Sequence, residues 1–262
     1  MPKIAANLTM LFTEVPFLER FAAARQAGFR YVEFLHPYEY SPEQLVELVE
    51  SNGLQVVLFN LPSGDWAAGE RGIAANPGRV EEFRAGVKRA IPYAQALGVP
   101  RLNCLAGKAS PDFSPAEHWQ TLAENLSFAA DALGEAGLSL VVEPINHYDI
   151  PGFVLNTTRQ GLDLIAQAGR SNLYLQYDIY HAQREEGNIT PTLREHISKI
   201  AHIQIADNPG RHQPGTGELN FPFLFAEIDR LGYQGYVSGE YIPQPDTLAS
   251  LGWIKEYGCQ LT

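Results

Sequence analysis

Eight short, mostly apolar runs, each followed by a helix-period stretch, recur along the 262 residues of this chain. The runs are KIAANL (3–8), YVEFL (31–35), VVLFN (56–60), RLNCLAG (101–107), LSLVVE (138–143), LYLQYD (173–178), IAHIQ (200–204) and GYVSGE (235–240). Runs apolar on both faces suit strands covered outside by helices and inside by a packed barrel. Local signals mark the helices between them. Pro16 to Ala27 reads as one, with Gly28 as its terminator. Ser41-Pro42 caps a second, which ends near Asn52-Gly53, and a third covers about 79–97 before Gly98. Ser114-Pro115-Ala116-Glu117 carries a capping box for a fourth, running to Gly137. Further helices are expected over about 158–168, 190–198, 221–231 and 247–257. Strict alternation, no dividing linker and a length near the roughly 250 typical of the fold predict a single (β/α)8 TIM barrel domain over 1–262.

Four of these runs end on an oxygen-bearing side chain: Glu143, Asp178, Gln204 and Glu240, at intervals of 35, 26 and 36 residues. A parallel barrel gathers the C-terminal ends of its strands into one ring, where that fold places its chemistry. Alternation along strand 7 sends His202, Gln204 and Ala206 one way and Ile203 and Ile205 the other. The isoleucines suit the helix layer, so Gln204 faces the axis. Ser139, Val141 and Glu143 share the corresponding side of strand 5. One such acid alone would read as a helix cap or an ion-pair partner. Three carboxylates brought together repel unless a cation or proton holds them. With a neutral amide and no cysteine nearby, the set predicts a divalent metal ion, Mg2+ or Mn2+ rather than Zn2+.

Composition narrows the partners. A net charge of −11 argues against nucleic acid and against anionic membrane surfaces. No run approaches the roughly 18 apolar residues of a membrane span. Two cysteines, Cys104 and Cys259, build neither a disulfide framework nor a thiolate metal site, and a cytoplasmic location is expected. The glycine-rich AGERG and PGTGE segments lack the strand–loop–helix context of a phosphate-binding motif.

Longer segments carry a resemblance. GDWAAGERG (64–72), EPINHYDIPGF (143–153), QYDIYHAQ (176–183), QIADNPGRHQPGTGE (204–218) and GEY (239–241) closely resemble the hydroxypyruvate isomerase family of the xylose-isomerase-like barrels. The likeness covers nearly the whole chain. FTEVPFLERFAAARQAGF (12–29) is also similar to the sister 2-oxo-tetronate isomerases. The resemblance implies that Glu143, Asp178, Gln204 and Glu240 are metal ligands, and that Glu143 and Glu240 are the proton donor and acceptor. It implies interconversion of hydroxypyruvate and tartronate semialdehyde, a step of glyoxylate metabolism, with 2-oxo-tetronate or another ketose isomerisation or epimerisation as the alternative. Related ketose epimerases usually have a histidine where Gln204 falls.

The chemistry is consistent with these residues. Moving a carbonyl along a carbon chain removes a proton from the neighbouring carbon, and a divalent cation stabilises the enediolate that forms. Two carboxylates flanking the substrate can abstract at C3 and deliver at C2. An anionic substrate also needs positive partners. His181, expected in a loop above strand 6, and Arg211, above strand 7, are the foremost substrate-binding candidates; related epimerases hold substrate oxygens with a histidine and an arginine at about these places. Arg71 in the long segment after strand 3, which is expected to act as a lid, and Lys108 after strand 4 follow. His147 either orients its loop or touches substrate, and His202 is expected to be a packed, hydrogen-bonded residue. Two other classes stand against the isomerase: a metal-dependent endonuclease, which would want metal-binding histidines and a basic face, and a non-catalytic sugar- or acid-binding barrel. Helix faces of such barrels also serve homo-oligomer contacts.

Overall fold

Each of the eight mostly apolar runs forms a short strand in the computed structural model, which describes residues 2–261. The strands are β1 (Lys3–Asn7), β2 (Tyr31–Glu33), β3 (Gln55–Asn60), β4 (Arg101–Cys104), β5 (Ser139–Val142), β6 (Leu173–Asp178), β7 (Ile200–Ile205) and β8 (Tyr236–Gly239). All neighbours pair in parallel, and β1 also pairs with β8, so the sheet closes into a barrel in sequence order. The helices α1 (Arg20–Gln26), α2 (Pro42–Ser51), α3 (Val80–Leu97), α4 (Pro115–Glu135) and α5 (Thr158–Ala168) cover its outside. α6 (Ile179–Glu185), α7 (Ile189–His196), α8 (Phe221–Arg230), α9 (Thr247–Ser250) and α10 (Gly252–Glu256) complete the layer. Among the described residues no helix is long and apolar enough to cross a membrane.

The expected caps form. Ser41 Oγ accepts from the Gln44 amide, Ser114 and Glu117 make the reciprocal capping box, and Gly98 ends α3 in the left-handed region. Four expectations shift. The first helix opens with a 3-10 turn, Phe17–Glu19, before α1 begins. The closing helix breaks at Leu251 into α9 and α10. β1, β5 and β8 stop one residue short of the expected runs, β2 two and β4 three, and Glu143 and Glu240 stand just beyond the ladder. The fourth is α6, which forms where a loop is expected. Asp178 Oδ1 accepts the Tyr180 N–H and caps this helix directly off β6, so His181 lies on its first turn. Its cap is the last residue of the strand itself, so no separate start signal marks this helix in the sequence.

Side chains inside the barrel stack in tiers along each strand. At the N-terminal end Ala5, Tyr31 and Val141 pack with Tyr174, Ala201 and Tyr236. One pleat further up come Asn7, Glu33, Asn103, Gln176 and His202, all at most 1% exposed. The acids stand at the C-terminal end. Above them the loops after β3 and β4 cross at an isolated bridge between Gly72 and Ala106. A Cβ on Gly72 would lie 2.3 Å from the Leu105 carbonyl oxygen, and one on Gly107 would lie 2.2 Å from that of Gly72. Both glycines have positive φ, so the crossing admits no other residue without moving backbone.

Candidate active site

Parallel register brings the ring together. Asp178 pairs with Gln204 across β6 and β7, and Gln204 with Ser238 across β7 and β8. The tier below holds these side chains in place. Glu33 accepts from Asn7 Nδ2 at 2.9 Å and Gln204 Nε2 at 2.7 Å, and meets His202 Nε2 at 2.6 Å. Burial alone would favour its neutral form. His202, Gln204 and Asn7 outweigh burial and hold its carboxyl below the usual range. His202 is thus the packed, hydrogen-bonded histidine expected of it.

Each of the three upper acids has its own support. Glu143 Oε2 accepts from Asn103 Nδ2 at 2.8 Å. Glu240 Oε1 accepts from Asn7 Nδ2 at 3.0 Å and Gln204 Nε2 at 3.2 Å, and its Oε2 accepts from Arg211 Nη2 at 2.6 Å. Among the described residues Asp178 Oδ2 has no hydrogen-bond partner; His181 Nε2 lies 3.6 Å away and Arg211 Nη2 3.8 Å. None of the three is more than 5% exposed. Burial, then Glu240 and Asp178, push Glu143 well above the carboxylate range. Burial raises Glu240 to about 8 and Asp178 to about 6, with Arg211 opposing the rise in both. Burial and the two nearby arginines, Arg211 and Arg184, keep His181 neutral.

Glu143, Asp178, His181 and Glu240 each offer a ligating atom, and these atoms all lie within 4.8 Å of one another. An orphaned buried carboxylate oxygen inside a set of clustered hard donors is a chemical match for a divalent cation. Gln204 stands in the ring as expected but presents a different atom. Its oxygen accepts from Gln176 Nε2 at 2.6 Å, and its amide nitrogen faces Glu33 and Glu240. Ligation through its oxygen needs that amide to turn over.

A cavity of about 510 Å³ opens above the ring, and Glu143, Glu240, His181, Arg211 and Arg71 all line it. Arg211 sits in the left-handed region at φ 55, a conformation that costs of order 1 kcal/mol or more for a residue with a side chain. Its own N–H to the Asp207 carbonyl (2.9 Å) and its carbonyl to the Ile242 amide (2.8 Å) hold it there. Arg71 lies over the Trp66 ring at 4.0 Å and donates to the Trp66 and Glu70 carbonyls. Among the described residues it has no carboxylate partner within salt-bridge distance. Lys108 does not line the cavity; its Nζ donates to the Gly69 carbonyl at 3.0 Å and tethers the segment after β3. His147 points away too, with Nδ1 at 2.7 Å from Glu185.

Sequence reasoning missed the supporting cast. Glu33 closes an apolar run as the other acids do, but reading β2 as far as Leu35 hid its place at the strand end. Asn7 and Asn103 carried only the inward alternation of their strands as a signal. Asn146, Asp149 and Tyr180 lay inside the quoted EPINHYD and QYDIYHAQ segments without a role of their own.

Comparison with known proteins follows the same geometry. A family model described as the xylose isomerase-like TIM barrel matches residues 21–257. The chain is 54% identical to a hydroxypyruvate isomerase of Escherichia coli, over 98% of this chain and 100% of that protein. It is 47% identical to a 2-oxo-tetronate isomerase of Cupriavidus necator, over 98% and 99%. A crystal structure from Brucella melitensis, described as an AP endonuclease of family 2, superposes with a TM-score of 0.95 at 41% identity, covering 98% of this chain and 99% of that one.

Proposed function

We propose a function on the ground that this chain belongs to the xylose isomerase-like TIM barrel family, among its hydroxypyruvate and 2-oxo-tetronate isomerases. It is an isomerase of small hydroxy-oxo acids, and hydroxypyruvate, converted to tartronate semialdehyde, is the favoured substrate. The observation that carries this reading is the pair Glu143 and Glu240, two buried glutamates with raised proton affinity facing one cavity. A carboxyl whose affinity lies near neutrality can both take and return a proton. One glutamate, ionised, removes the C3 proton of hydroxypyruvate, and an enediolate results. A proton passes from the C3 hydroxyl to the oxygen on C2 as the other glutamate, protonated, returns a proton to C2, leaving the aldehyde at C3 and a hydroxyl at C2. Because the conversion is reversible, the two exchange duties in the opposite direction.

The remaining residues bind and orient. Glu143, Asp178 and Glu240 would hold the divalent cation, Mg2+ or Mn2+, with Gln204 as a fourth oxygen donor once its amide turns. A bound cation supplies positive charge where negative charge grows on substrate oxygens. Arg211 and Arg71 give the cavity the positive charge that an acid substrate needs in a chain of net charge −11. Burial of the ring excludes water from the proton-transfer groups.

A nuclease reading has less support. Duplex binding draws its strength from neutralising phosphates with a basic face, and this chain has 30 acidic residues against 19 basic ones. The protein works instead on a free small molecule, in the cytoplasm. The deciding experiment supplies hydroxypyruvate and 2-oxo-tetronate in deuterated water with Mn2+. Deuterium should enter the carbon skeleton of hydroxypyruvate, and turnover of hydroxypyruvate should be the faster. Binding of both acids without exchange would make the protein a binding barrel, and faster turnover of 2-oxo-tetronate would make that the substrate.

A further inference from the structure

The orientation of one buried amide constrains the site more tightly than its acids do. Asn146 lies in the turn after β5 and has no exposed surface. Its Oδ1 accepts the Asp149 backbone N–H at 2.9 Å, and its Nδ2 donates to Asp149 Oδ2 at 3.2 Å. Tyr180 Oη donates to the same Oδ2 at 2.8 Å, and Arg184 Nε lies 3.2 Å from Asp149 Oδ1, so the carboxylate is itself fixed. Turning the amide over would set its oxygen against a carboxylate and its nitrogen against a backbone N–H. Two repulsions would replace two hydrogen bonds, so a single orientation survives.

That orientation has a consequence for His181. Asn146 Nδ2 lies 2.6 Å from His181 Nδ1, in a place where neither residue is more than 3% exposed. Two N–H groups cannot face each other at that separation, so Nδ1 must be the bare nitrogen that accepts. A neutral imidazole with a bare Nδ1 carries its proton on Nε2. Nε2 is the end that faces the acids, 3.6 Å from the unpartnered Asp178 Oδ2.

We propose that Asn146, anchored by Asp149, locks His181 in the Nε2–H tautomer and so makes it a hydrogen-bond donor to a substrate oxygen rather than a ligand to the metal. Its ring nitrogen lies within ligating reach of Glu143, Asp178 and Glu240, and position alone would admit it to the metal set. Ligation through Nε2 requires a lone pair there, hence a proton on Nδ1, and Asn146 already donates at Nδ1. Asn146 is a positioning residue: it touches neither metal nor substrate and acts through the histidine. The tautomer stands on hydrogen-bond geometry alone; only the identity of the acceptor rests on the isomerase reading.

The test reads the tautomer directly, in metal-free protein with 15N-labelled histidine. Long-range proton–nitrogen correlations show which ring nitrogen carries the proton, and Asn146→Leu or loss of the signal in His181→Ala assigns the resonance. In the native chain the proton should be on Nε2. In the exchanged pair Asn146→Asp/Asp149→Asn, side-chain volume and net charge are kept but the polarity is reversed, and the proton should move to Nδ1. The same pair should lose kcat by about 10²-fold, the scale of one transition-state hydrogen bond, with KM moving far less. Removing a side chain that hydrogen-bonds a metal ligand costs about 10–100-fold in affinity, but the His181 ring makes no such bond to the acids, so His181→Ala should bind Mn2+ within about threefold of the native protein. A native proton on Nδ1, an unmoved proton in the exchanged pair, or a tenfold or greater loss of Mn2+ affinity in His181→Ala would overturn the lock. If the tautomer is as stated but neither acid is turned over, the isomerase reading fails and the lock stands.

Discussion

At the residue scale the site is governed by competition between burial and charge pairing. Among the described residues Glu143 has only Asn103 as a hydrogen-bond donor, whereas Glu240 has Asn7, Gln204 and Arg211. Both are nonetheless raised, because desolvation of a carboxylate surrounded by other carboxylates outweighs any one donor. The sign of the linked stability follows. An acid whose folded affinity exceeds its unfolded one contributes stability at low pH, and that contribution is lost as pH rises through the folded value. With Asp178 at about 6 and Glu240 at about 8, the metal-free protein should melt at a lower temperature at pH 8.5 than at pH 6. Metal binding displaces those protons, so Mn2+ affinity should climb over the same interval, with proton release visible in calorimetry in two buffers. Glu143→Gln should leave the part of that dependence due to Asp178 and Glu240 in place, but weaken Mn2+ binding and abolish turnover. An active, metal-replete Glu143→Gln protein would remove Glu143 from both roles.

At the element scale, local signals governed the helices and failed where they were silent. Ser114 and Glu117 announce α4 because a capping box satisfies orphan amides by short-range bonds that any neighbourhood tolerates. Ser114→Ala should cost about 1 kcal/mol and lower the melting temperature by roughly 2–4 °C with activity unchanged, as read by scanning calorimetry. α6 carries no such punctuation. Its cap is Asp178, a residue that also belongs to the acid ring, and the double duty hid the helix. The segment after β3 is expected from its length and its place over the barrel mouth to act as a lid. The structure ties it at Gly72–Ala106, Lys108–Gly69 and Arg79–Glu70, three contacts made with residues outside that stretch that its own sequence does not announce.

At the scale of the whole molecule, barrel closure converts strand ends far apart in sequence into one cavity. Arg211 shows what closure contributes: it reaches from the loop after β7 to Glu240 beyond β8 and toward Asp178 at the end of β6. Arg211→Ala should raise KM more than it lowers kcat, because the guanidinium balances charge in the free site and receives an acid substrate in the occupied one. Steady-state kinetics check this, and an unchanged KM would argue against that contact.

The sequence by itself determined the eight alternating units, their caps and the positions of four polar strand ends, because periodicity and capping are local properties of the chain. Barrel closure was inferable from the count and length of those units. Tertiary structure alone decided which atom each side chain presents: that Gln204 shows its nitrogen, that Glu33 supports the ring from below, and that Asn146 dictates the tautomer of His181. Such choices depend on hydrogen bonds between residues tens to more than a hundred positions apart, even where a near neighbour such as Asp149 orients the amide, and no local pattern encodes which distant partner arrives.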